Sequence, residues 1–94
     1  MQITSPIKIG AHDIHIQLAE PDLLPDGLMG QSNPAFHVIK LADCFPKSQI
    51  EETLCHEIIE NINANYELNM EHRVIQVLGT VIYQVLHDNR LKFF

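Results

Sequence analysis

The hydrophobic period of this chain changes once, near residue 45, and that change limits what it can fold into. Before it, apolar residues alternate with polar ones, the spacing of a strand; after it they recur at three and four, the spacing of a helix. Strands followed by helices make an α+β chain, and 94 residues make one domain, 1–94, since so short a chain does not divide its core.

In the first part, Ile7-Lys8-Ile9 alternates, Gly10 to His12 supplies a turn, and Ile14, Ile16 and Leu18 share a face opposite His15 and Gln17. This predicts a β-hairpin. Residues 20–34 hold three of the five prolines and two of the four glycines and read as a long loop. Phe36 to Leu41 predicts a third strand, with Phe36, Val38 and Lys40 on one face and His37, Ile39 and Leu41 on the other. Both faces are partly apolar, which suits a central position. The strands thus fall within about residues 6–41.

Ser48 with Glu51 three residues on has the form of a capping box, and Pro46 suits a helix entrance, so a first helix is predicted over about 48–66. Its Leu54, Cys55, Ile58, Ile59, Ile62 and Tyr66 fall in an arc of roughly 140° at 100° per residue, the expected core face. Asn69 is the expected N-cap of a second helix over about 70–87, stopped at Asp88-Asn89. Apolar residues between Val74 and Leu86 cover about half of its circumference, which predicts the more buried of the two helices. The link Glu67 to Asn69 makes the helices neighbours, and Gly79 allows a close approach between them. The expected architecture is a three-stranded sheet, a hairpin plus one strand, packed on two helices.

Twelve carboxylates against six Lys and Arg give a net charge of −6 with no basic run. Nucleic acid and anionic membranes are therefore not expected partners. The longest apolar stretch, Val74 to Leu86, is too short to span a bilayer and is interrupted by Gln76, Thr80, Tyr83 and Gln84. The first ten residues lack the basic and apolar regions of a secretory leader, so a cytoplasmic location is expected. Cys44 and Cys55 form no CxxC and are expected as reduced thiols, Cys55 in the helix core, a single bridge between them being the alternative.

The string His56-Glu57-Ile58-Ile59-Glu60 carries the chemistry. On a helix, positions i and i+4 stand about 6 Å apart on one side, which places His56 and Glu60 as two ligands of one metal ion. Glu57 stands 100° from His56 and about 60° from Glu60, free to take a proton from a water held at the metal. This is H-E-x-x-H with glutamate for the second histidine. His72, in the first turn of the second helix and at the border of its apolar arc, is the candidate third ligand, and a helix start favours its neutral form. His56, Glu60 and His72 would make a His₂Glu site for zinc or another divalent metal. His15, His37 and Tyr83 are candidates for stabilising an oxyanion. Composition alone gives roughly 0.03 chance matches to H-E-x-x-E in such a chain, and two plainer readings stand beside the metal. Glu52, His56, Glu57 and Glu60 also fit a solvated polar face, and His72 a cap or seam hydrogen bond.

The segment Thr53 to Asn89 contains TLCHEIIENI, a Leu-containing link, a histidine at the second helix start and YQVLHDN. It resembles a set of small phage and prophage proteins with a zincin-like, minigluzincin-like pattern: T-L-x-H-E-I-I-[HE]-A-I, then a histidine, then Y-Q-V-L-x-D-N. The resemblance covers 37 residues, and the N-terminal third matches only in its strand pattern. It implies a zincin-like fold and a zinc-dependent metallopeptidase, a hydrolase, with His56, Glu60 and His72 on the metal and Glu57 as general base. Glu60 stands where the usual peptidase motif has histidine, which adds negative charge and makes the metal a weaker Lewis acid. The implied partner is a peptide or protein substrate, taken along a strand edge, in a host cytoplasm if the chain is phage-encoded. The alternative is a non-catalytic phage-encoded protein that uses the same scaffold to bind a host protein; oligomerisation stays open.

Overall fold

The computed structural model describes residues 3–25 and 27–91. Strands β1 (Ile7–Ile9), β2 (His12–Ala19), β3 (Gly30–Asn33) and β4 (Val38–Ala42) precede helices α1 (Lys47–Asn65) and α2 (His72–Asp88), and a 3-10 turn, Pro21–Leu23, lies in the loop after β2. The four strands form one mixed sheet in the order β1-β2-β4-β3, where β1 and β3 run antiparallel to their neighbours and β2 and β4 run parallel. The α+β class holds, with four strands rather than the expected three. The added strand, β3, lies inside the segment predicted as loop.

The β1–β2 turn needs Gly10, whose φ is +61° and whose missing Cβ leaves the space taken by the Tyr66 hydroxyl. β4 is central, as its two partly apolar faces predict, although it begins at Val38. Phe36, expected in that strand, lies exposed in the β3–β4 turn, which His37 closes at φ +54°. Ile14, Ile39 and Leu41 from the sheet meet Ile50 and Leu54 from α1 in the core.

α1 covers the sheet and α2 covers α1, so α1 is the middle layer and is buried from two sides. This reverses the expected burial. α1 buries eight residues, including Glu51, Thr53, Glu57 and Asn61, whereas α2 buries only Ile75, Gly79 and Tyr83. A wide apolar arc measures how much surface a helix offers, not how much of it the fold covers, and α2 packs chiefly on α1. Tyr66, expected in the α1 core face, is exposed except where it meets Gly10.

The helix ends follow backbone geometry more than side-chain caps. Pro46 is the N-cap of α1, so Ser48 lies within the first turn and the capping box does not form; Glu51 instead accepts a hydrogen bond from the Tyr83 hydroxyl at 3.1 Å. α2 starts at His72 behind Glu71 rather than Asn69. The link between the helices is Tyr66 to Glu71, twice the predicted length, with Glu67 and Asn69 both at positive φ. Leu68 N–H reaches back to the Asn63 carbonyl at 3.1 Å, and Leu91 N–H to that of Leu86 at 2.8 Å, each past a residue at positive φ. Both helices thus end in Schellman turns.

Candidate metal centre

His56, Glu57 and Glu60 lie in the middle layer, on α1, and His72 opens α2. Gly79 lets the two helices meet closely here: a Cβ at that position would stand 3.0 Å from the His56 Cα and 3.2 Å from its backbone nitrogen. The rings of His56 and His72 meet edge to face with centroids 5.4 Å apart. One donor atom from each of His56, Glu60 and His72 lies within 4.8 Å of the other two, the one such group of three among the described residues. Three points so spaced lie no more than about 2.8 Å from a common centre, against metal bonds of about 2.0–2.2 Å, so shifts of about half an ångström close them on one ion. The donor set fits a divalent cation that accepts nitrogen and oxygen.

Electrostatics favour the same use. Burial lowers the pKa of His56; Glu60 raises it and His72 lowers it further. A histidine held neutral keeps the lone pair that a metal needs. Glu57 is buried and its pKa is pushed up to about 7, by burial first and then by Glu60, against a hydrogen bond from the Ser32 backbone N–H that lowers it. Glu57 thus differs from an ordinary surface carboxylate in the direction expected of a proton acceptor working near neutral pH. Its Oε2 lies 4.0 Å from the His56 Nε2.

β3 bounds the site on the other side. Gly30 is required there, because a Cβ would stand 2.6 Å from the Thr53 Cγ2 and 3.2 Å from the Glu57 Cγ. The fully buried Asn61 ties β3 to α1, donating to the Ser32 Oγ at 3.3 Å while its Oδ1 accepts from Asn65 at 2.8 Å. A cleft of about 250 Å³ opens between β3, α1 and α2, and His56, Glu57 and His72 line it.

Of the sequence-predicted residues, Glu60 is not among those that line this cleft, and three others stand away from the His56–His72 seam altogether. Tyr83 is buried against Glu51, and its pKa is pushed up to about 12 by burial and by that hydrogen bond. His37 stacks on His12 at 4.5 Å beside the β3–β4 turn, and His15 is an exposed residue of β2. None of them is placed to stabilise an oxyanion at the His56–His72 seam. The cleft takes its other polar side chains from Gln49, Glu52 and Thr53 on α1 and from Gln76 and Thr80 on α2. The α2 pair stands four and eight residues after His72, so one helical stripe marks all three. Cys55 is buried, with its pKa raised to about 11 by burial and then by Glu51 and Glu52, and Cys44 is exposed; both are free thiols. No described helix is long and apolar enough to cross a membrane.

Comparison with protein-family models, with curated proteins and with solved structures gives no match to this chain.

Proposed function

We propose that this chain is a small zincin-like protein that holds zinc or a similar divalent ion through His56, Glu60 and His72 and hydrolyses peptide bonds. The observation that carries the reading is that one ligand-type donor atom from each of His56, Glu60 and His72 lies within 4.8 Å of the other two, and that His56 and His72 line a cleft that Glu57 also lines. A divalent ion at such a site supplies Lewis-acid polarisation of a carbonyl and acidifies water.

The chain's own groups do the rest. Glu57 Oε accepts a proton from the attacking water as its oxygen bonds to the carbonyl carbon, and returns it to the amine as the C–N bond breaks. The buried position limits how far this carboxyl is solvated at the moment of transfer. β3 is an edge strand, and Met29 and Gly30 form one lip of the cleft, so an extended peptide adds along that edge by strand augmentation. Gln76 and Thr80 stand across the cleft as hydrogen-bond groups for the substrate.

The test is cleavage of a mixed peptide library by the zinc-loaded protein, read as new termini by mass spectrometry. Cleavage that a chelator stops and added zinc restores is the expected result. A protein that retains stoichiometric zinc yet produces no new terminus would refute the hydrolase and leave a metal-holding scaffold that binds another protein.

A further inference from the structure

The face of α2 turned away from α1 carries six aliphatic side chains, Val74, Val77, Leu78, Val81, Ile82 and Val85, each 39% to 54% exposed. At 100° per residue they fill an arc of about 140°. Ile75, Gly79 and Tyr83, which are buried, lie beside that arc; of the residues that line the cleft, His72 falls among these three and Gln76 and Thr80 lie beyond them. Covering the aliphatic arc leaves the cleft open. No Asp, Glu, Lys or Arg stands between Arg73 and Asp88, so the surplus carboxylates of this acidic chain are all elsewhere.

The area matches what a dimer needs. The six side chains together expose roughly 450 Å², at the scale of the largest apolar patch on a typical monomer. Two copies bring about 900 Å², and the residues flanking the arc carry the total past the roughly 1,000 Å² of a specific interface.

The pattern is also self-complementary. The six positions are symmetric about the point between Gly79 and Thr80, pairing Val74 with Val85, Val77 with Ile82 and Leu78 with Val81. Two α2 helices packed antiparallel about a two-fold axis set each residue against its counterpart and bring Arg73 near the partner's Asp88.

We propose that the exposed α2 face is a homodimer interface, formed by antiparallel packing of α2 on α2 of a second copy. Analytical ultracentrifugation of the untagged chain from 1 to 500 μM tests it. The expected mass is twice the 10.7 kDa of one chain. Val81→Lys, a substitution at an exposed site that sets two ammonium groups close to the axis, weakens the dimer at least 100-fold with an unchanged circular dichroism spectrum. Arg73→Glu weakens it about tenfold, and adding Asp88→Lys restores it. A parent that stays at one chain's mass throughout overturns the proposal, whether the arc then binds another protein or nothing. A folded Val81→Lys that dimerises as the parent does also overturns it, and a charge exchange without rescue overturns the antiparallel register.

Discussion

Glu57→Gln is expected to leave metal binding intact and to lower kcat for peptide hydrolysis by about 10²–10⁴-fold, the usual contribution of a positioned general base. The side chains have nearly the same shape, so the amide fits the space that the carboxyl occupies in the parent. What the substitution removes is the capacity to accept and return a proton. Burial disfavours the ionised form of Glu57, so a neutral amide in its place costs the fold little. Elemental analysis and kcat measured on the same preparation separate the two effects. Equal kcat in Glu57→Gln and parent would remove Glu57 from the mechanism.

Gly79→Leu is expected to reduce metal affinity about 10–100-fold, the size of effect seen when the support around a ligand is disturbed. The clash falls on backbone, because a Cβ at residue 79 already stands 3.0 Å from the His56 Cα, so relief comes by moving α2 and His72 with it. Overpacking of this kind costs about 1–3 kcal/mol, partly offset by about 0.8 kcal/mol from replacing a glycine within a helix. Gly79→Ala sets a contact only a few tenths of an ångström too tight against a similar gain in helix propensity, and is expected to change affinity less than tenfold. A competition titration against a chromogenic chelator reads both variants. Parent-like affinity in Gly79→Leu would mean that His72 does not depend on the helix seam.

The placement of His56, Glu57, Glu60 and His72 was legible in the sequence because it rests on two local facts. Helical period puts His56 and Glu60 on one side of α1, and a short link with a small residue at the seam returns His72 to them. The link is six residues rather than three, yet Glu67 and Asn69 at positive φ turn it sharply enough for the same outcome. What was not legible depends on packing between distant segments. β3 reads Gly-Gln-Ser-Asn, with no apolar alternation; it is a strand because β4 pairs with it and because Gly30 and Asn61 let it lie against α1. Glu51 fits a capping box locally, but Pro46 takes the N-cap and Tyr83, 32 residues on, supplies the partner. Nothing local in the sequence separates His15, His37 and Tyr83 from cleft residues; only the tertiary fold points them elsewhere. Gln76 and Thr80 had a usable signal, their four-residue spacing from His72, once the cleft wall is known to be that face of α2.

The proposed activity depends on one divalent ion held between α1 and α2. Elemental analysis of untagged protein, purified without added metal and compared with His72→Ala prepared in parallel, measures that directly. About one zinc or similar ion per parent chain and none in the variant is the predicted result. A parent without stoichiometric metal, or a variant that retains as much as the parent, would contradict it.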